Sequence, residues 1–229
     1  MSIDFNDRSR PELRLYDGLE EAPKLGEHFL ISGPVGGLEA VMACPNDRDS
    51  MSPIAVICHP HPLYGGSMAN KVVYVVANTF GEMGLPTLRF NFRGVGHSQG
   101  RFDQGRGEVD DLIVVCDWFK QRYPDAPLWL AGFSFGSYVA FQAHQQVNAE
   151  RLLLIAPPVT KYDFHAGVQT PIRWMVIQGG KDEIVAPEKV SAWVYRQGNA
   201  VSYEWLDDAD HFFHGRLNHI RHAIKQQWS

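Results

Sequence analysis

Ser134 stands at the centre of Gly132-Phe133-Ser134-Phe135-Gly136, after the apolar run Pro127-Leu128-Trp129-Leu130-Ala131 and before a helix-patterned stretch over residues 137–144. A serine hydroxyl is a weak nucleophile near neutral pH. It becomes reactive when an imidazole takes its proton and a carboxylate holds that imidazole in one tautomer and stabilises the cation that forms. The Gly-x-Ser-x-Gly spacing also has a mechanical reason. The apex residue of a sharp strand-to-helix turn is strained, and small neighbours let strand and helix approach closely enough to push the hydroxyl out at the sheet edge.

Two later runs end in the groups such a serine needs. Trp174-Met175-Val176-Ile177-Gln178-Gly179-Gly180-Lys181-Asp182 is an apolar run closing on glycines and a carboxylate. Tyr203-Glu204-Trp205-Leu206-Asp207-Asp208-Ala209-Asp210-His211 is strand-like and closes on acids and a histidine. All three candidates therefore follow strand-like runs. In a parallel sheet the ends of such strands gather at one edge, where ligands bind.

The order serine, acid, histidine is that of α/β-hydrolases. The chain resembles that superfamily, and especially a compact bacterial group carrying a His-Pro-His-Pro-x-x-Gly-Gly signature, here His59-Pro60-His61-Pro62-Leu63-Tyr64-Gly65-Gly66. The likeness extends to Phe92-Arg93-Gly94-Val95-Gly96-His97-Ser98-Gln99-Gly100, to Gly132–Gly136, to Gly179–Asp182 and to Asp210-His211, spanning roughly residues 53–215. The resemblance implies an α/β-hydrolase fold and a serine hydrolase with Ser134 as nucleophile, Asp182 as acid and His211 as base. Glu183, adjacent to Asp182, and Asp163, after the sixth strand, are weaker candidates for the acid. His214, His219 and His222 fall in or near the final helix. An oxyanion hole takes one backbone N–H from the residue after the nucleophile, Phe135. By likeness to the family's loop after the preceding strand the second comes from His61, with Leu63 behind it; Pro60 and Pro62 have no N–H to give. His59, Arg93 and His97 are expected to brace loops.

Competing readings of the same residues are weaker. His59 with His61, or His211 with His214, could begin a metal site, but three or four converging ligands cannot be assembled without taking His211 from its partners. No metal and no organic cofactor is expected. Cys44, Cys58 and Cys116 are odd in number and lie in apolar stretches, as free thiols in a reducing compartment do; Cys58, at the end of a hydrophobic strand, reads as core rather than nucleophile. Phe133, Phe135, Tyr64 and Trp174 are candidates either for an apolar pocket wall or for the core.

The elements that must position these groups alternate between strand and helix. After a polar arm (residues 1–26), a β-hairpin is expected over 27–44, then strand 54–58, helix 70–83, strand 87–92, helix 108–123, strand 128–131, the helix after Ser134, strand 151–156, strand 173–177, helix 186–196, strand 202–206 and helix 215–227. This is a mostly parallel, doubly wound sheet with an antiparallel N-terminal hairpin, in one domain over 1–229. About thirteen residues, 158–170, separate the two strands between which many relatives insert a cap, so no large cap domain is expected and the site should be open.

A net charge of -5 with charges dispersed gives no case for nucleic acid or an anionic membrane as partner. The start Met1-Ser2-Ile3-Asp4-Phe5-Asn6-Asp7-Arg8 carries no apolar secretory segment, and no run reaches the length of a membrane span, so a cytoplasmic protein is expected. The expected partner is a small-molecule acyl substrate, and the sequence leaves a homodimer open. The expected reaction is hydrolysis of small or short-chain carboxylic esters through an acyl-enzyme. The alternatives are a thioesterase, peptidase or lyase on the same scaffold, or a non-catalytic ligand-binding protein of hydrolase fold.

Overall fold

The computed structural model describes residues 12–18, 21–45, 51–164 and 172–228. Strand β3 (Ile54–Cys58) shows why its sequence has no polar member: all five residues are buried. Ile54, Val56 and Cys58 join the core on one face of the sheet, and Ala55 and Ile57 join the core on the other. Side chains alternate across a strand, so a strand covered on both faces must be apolar throughout. Strand β5 (Leu128–Phe133) divides in the same way, Leu128 and Leu130 to one side and Trp129, Ala131 and Phe133 to the other.

Around these two lie β1 (His28–Gly33), β2 (Gly36–Ala43), β4 (Thr87–Phe90), β6 (Ala149–Ile155), β7 (Arg173–Gly179) and β8 (Val201–Leu206). They form one sheet in the order β1-β2-β4-β3-β5-β6-β7-β8. β1, β2 and β4 pair antiparallel, and every other pairing is parallel. The expected mostly parallel sheet with an antiparallel N-terminal hairpin is therefore present. Helices α1 (Lys71–Glu82) and α5 (Leu217–Trp228) cover one face; α2 (Arg106–Arg122), α3 (Phe135–Ala143) and α4 (Pro187–Arg196) cover the other. The connection 156–172 is too short to build a large cap, and its residues 165–171 lie outside the described ones.

Local chemistry sets several boundaries. α1 starts at Asn70, whose Oδ1 accepts from the N–H of Val72 at 2.9 Å. α2 starts two residues earlier than hydrophobic periodicity implies, because the buried Glu108 carboxylate accepts from the N–H of Gly105 at 2.7 Å and of Asp103 at 2.9 Å. Only part of the expected polar arm is described, residues 12–18 and 21–26. The described part pairs along the outer edge of β1: Leu30 N–H donates to the Arg14 carbonyl and Tyr16 N–H to the Leu30 carbonyl, at 2.8 and 2.9 Å. Trp118 Nε1 donates to the Tyr16 carbonyl at 2.7 Å. An otherwise unpaired sheet edge is thereby covered.

Strand register decides what meets at the carboxyl edge. Cys58 lies opposite Gly132, so the chain leaving β3 emerges beside the turn after β5. Gly179 lies opposite Leu206, so the loops after β7 and β8 emerge side by side as well.

Candidate active site

Ser134 occupies the turn between β5 and α3 with φ 52° and ψ -120°, a positive φ that L-residues rarely adopt. Its N–H donates to the Ile155 carbonyl at 2.8 Å, and its own carbonyl accepts from the N–H and Oγ of Ser137 at 2.9 and 2.6 Å. These bonds hold the strained turn. The two glycines of the motif are required by contact. A Cβ on Gly132 would sit 2.2 Å from the Gly136 carbonyl oxygen, and one on Gly136 would sit 2.5 Å from the carbonyl oxygens of Cys58 and His59. Any larger residue would drive α3 away from β3 and β5.

The hydroxyl of Ser134 is 3.1 Å from His211 Nε2, and His211 Nδ1 is 2.7 Å from Asp182 Oδ2. His211 is 2% exposed and Asp182 6%. The second oxygen of Asp182, Oδ1, accepts from the N–H groups of Ile184 and Val185 at 2.9 and 2.7 Å. Burial pushes the Asp182 carboxyl up, but the hydrogen bond and charge of His211 and the two amides outweigh it, and the net position is below the ordinary value. The carboxylate therefore stays ionised, as an acceptor for Nδ1–H must. The ring of Phe133 lies 5.2 Å from that of His211 and walls off one side of it.

Two contacts at the site go beyond what the sequence indicates. Gln178, fully buried on β7, donates Nε2–H to Asp182 Oδ2 at 3.1 Å. The carboxylate of Glu183 accepts from the backbone N–H of His211 at 3.4 Å and so ties the two loops together. The apolar context of Gln178 is the signal that could have found the first contact: an amide inside a buried strand needs a polar partner.

The loop after β3 carries the other half of the site. His59 is fully buried; its Nδ1–H donates to the Pro60 carbonyl at 2.6 Å and its Nε2 accepts from the N–H of Phe92 at 3.0 Å. Burial brings this imidazole down to about 4, so it is neutral and ties the loop to the chain after β4. The side chain of His61 accepts at Nδ1 from the N–H of Leu63 at 3.2 Å. Leu63, the reserve oxyanion donor, thus has its N–H engaged. Among the described residues nothing takes up the N–H of Phe135 or of His61. Arg93 braces the neighbouring loop through a buried bidentate pair with Asp111, and the backbone N–H of His97 donates to the buried Glu39 at 2.8 Å. That loop reaches the site through Phe102, whose ring packs 4.8 Å from that of His61.

Two cavities meet at Ser134. One, of about 390 Å³, is lined by His61, Gly66, Lys161, Ile184, His211 and Phe212 among others. The second, of about 270 Å³, runs past Phe135, Pro158, Tyr162 and Val185. Of the aromatic candidates, Tyr64 and Phe135 line this space, whereas Phe133 and Trp174 are core residues, Trp174 packing 5.5 Å from Trp193.

The remaining candidates stand elsewhere. Asp163 is exposed on the loop after β6, and His219 and His222 are exposed on α5. Asp207, Asp208 and Asp210 bond Trp205, Arg216 and His214 respectively. Cys58 is fully buried and burial raises its thiol well above the ordinary range, which leaves it inert. Among the described residues no three His, Cys, Asp or Glu side chains are grouped as metal ligands, and no helix is long and apolar enough to cross a membrane.

Residues 55–226 match the family described as Alpha/beta hydrolase domain. An uncharacterized protein of Rickettsia prowazekii is 40% identical over 203 residues, covering 84% of each chain. Among solved structures, an α/β serine hydrolase homologue from Coxiella burnetii superposes with a TM-score of 0.86 at 42% identity, over 91% of this chain and 100% of that one. A member of the α/β serine hydrolases without lid from Xanthomonas campestris gives 0.84 at 39% identity, over 90% and 96%. With its sheet order, its short connection in place of a cap and its strand-turn-helix around Ser134, the chain belongs to the α/β hydrolase domain family.

Proposed function

We propose that the protein is a serine esterase that cleaves small or short-chain carboxylic esters through an acyl-enzyme, with Ser134, His211 and Asp182 as its triad. The observation that carries this reading is the continuous hydrogen-bond path from the Ser134 hydroxyl through His211 to Asp182, ending in open cavities. With Nδ1–H held by an ionised carboxylate, Nε2 of His211 is the acceptor for the serine proton. Attack by Oγ on the substrate carbonyl then gives a tetrahedral oxyanion. The amides of Phe135 and His61 are the donors assigned to it; such preorganised backbone donors contribute about 10²–10³ each to kcat. His211 returns the proton to the leaving alcohol, and then deprotonates the water that releases the acid.

The short-chain preference rests on cavity size and on the absence of a large cap. Among the described residues no apolar lid encloses the cavities, so added methylenes gain little burial. A series of p-nitrophenyl esters tests this. Turnover is expected to be highest for acetyl and butyryl and to fall for dodecanoyl, with all of it lost in Ser134→Ala. Faster turnover of emulsified long-chain esters than of soluble short ones would contradict it. Thioesters and amides of the same acyl group, run alongside, separate an esterase from a thioesterase or peptidase.

A further inference from the structure

The walls of the two cavities at Ser134 differ from the rest of the surface in charge. The chain carries 26 Asp and Glu against 21 Lys and Arg, yet among the described residues no acidic side chain lines either cavity. Lys161 lines both. It sits on a turn after β6 in which its own N–H and that of Tyr162 donate to the Pro158 carbonyl, at 2.9 and 3.2 Å. The turn is anchored by the Tyr162 ring, stacked 4.7 Å from Tyr138 and packed 5.5 Å from Phe135, the residue next to Ser134. Its ammonium has no ion pair or hydrogen bond among the described residues. An unpaired cation at the mouth of a site, with no carboxylate on the walls to neutralise it, is an electrostatic preference for anions.

A second donor lies beside it. Because His61 Nδ1 accepts from the Leu63 N–H, the ring proton of neutral His61 is on Nε2. The ring is held between Tyr64, Phe102 and Phe135 at 4.7, 4.8 and 5.0 Å, so its orientation is fixed while it lines both cavities. Burial first, and the charge of Lys161 second, hold this imidazole below its ordinary value, and both side chains line the same two cavities. Lys161 thus provides charge and His61 a directed N–H, both on walls that Ser134 shares.

We propose that Lys161, together with the Nε2–H of His61, is a specificity subsite for an anionic group, so that the substrates are esters carrying a carboxylate a few atoms from the scissile carbonyl. This rests on the esterase reading above. Two matched pairs locate the charge: p-nitrophenyl hemisuccinate against p-nitrophenyl butyrate varies the acyl side, and the acetate ester of glycolate against that of ethanol varies the alcohol side. In at least one pair the anionic ester is expected to have the higher kcat/KM, by about tenfold at low ionic strength, with the difference mainly in KM. Lys161→Met is expected to abolish that ratio and Lys161→Glu to invert it, and raising salt to about 0.5 M should shrink it in the wild type alone. Lys161 is exposed, so these variants keep the fold. A ratio near one in both pairs, or a preference that persists in Lys161→Met, would overturn the subsite while leaving the esterase intact. Absence of any Ser134-dependent hydrolysis of the four esters would remove both.

Discussion

Two acid–histidine pairs stand three residues apart, and their bond lengths are the same. His211 Nδ1 lies 2.7 Å from Asp182, and His214 Nδ1 lies 2.7 Å from Asp210. Everything else differs. The His211 and Asp182 side chains are 3% and 0% exposed, those of His214 and Asp210 70% and 35%. Asp182 is also fixed by two amides and by Gln178 from within the buried strand β7, whereas the further donors to Asp210 are backbone N–H groups of its own turn, those of His214 and Phe212. Only His211 has a hydroxyl at its second nitrogen. A short contact is therefore common to a buried pair that faces a hydroxyl and to an exposed ion pair of little energetic weight in the turn before α5. Burial and the third partner separate them, since low dielectric strengthens the carboxylate's hold on the ring and the hydroxyl gives the ring something to deprotonate.

Removing members of each pair sharpens this contrast. Replacing His211 by Ala is expected to lower kcat on a short-chain ester by about 10⁶, and Asp182→Asn by about 10⁴, because the asparagine cannot hold the Nδ1–H tautomer. Steady-state kinetics on butyryl esters measures both. A loss in Asp182→Asn of only a fewfold would mean that the carboxylate is structural. At the other extreme, His214→Ala is expected to change kcat/KM by less than about twofold, as befits an exposed pair; a large loss there would dissolve the distinction.

Between these lies a third histidine, buried without any carboxylate. His59 is held at about 4 in the folded chain against an ordinary 6.5. Between those values the unfolded chain binds the extra proton and the folded chain does not. Its contribution is therefore complete above about pH 6.5 and is lost as pH falls toward 4, by up to about 3 kcal/mol. Urea unfolding from pH 7.5 to 4.5 should show the wild type losing that much more stability than His59→Gln. Parallel curves would contradict the neutral, buried assignment.

Much of this arrangement is legible in the chain alone. The turn at Ser134, the acid after β7 and the histidine after β8 each follow a strand-like run, and in a parallel sheet strand ends converge whatever the details of packing. The hairpin, the alternation of elements and the short connection in place of a cap are readable for similar reasons of period and length. Illegible are contacts that depend on side-chain direction across the fold. Gln178 turning onto Asp182 and Glu183 reaching the His211 amide depend on the register of β7 against β8, which no local pattern carries. The pairing of residues 14–16 with β1 is hidden because so short a bridge has no periodicity. Tyr64 at the cavity and Trp174 in the core look alike as aromatic residues; only the loop geometry separates them.

In the proposed reaction Ser134 is a nucleophile activated by His211. A fluorophosphonate probe reports this directly, since it forms a covalent bond only with an activated serine. A single adduct is expected on the wild type, mapped by peptide mass spectrometry to Ser134, absent in Ser134→Ala and strongly slowed in His211→Ala. No adduct on the folded wild type, or equal labelling of Ser134→Ala, would contradict it.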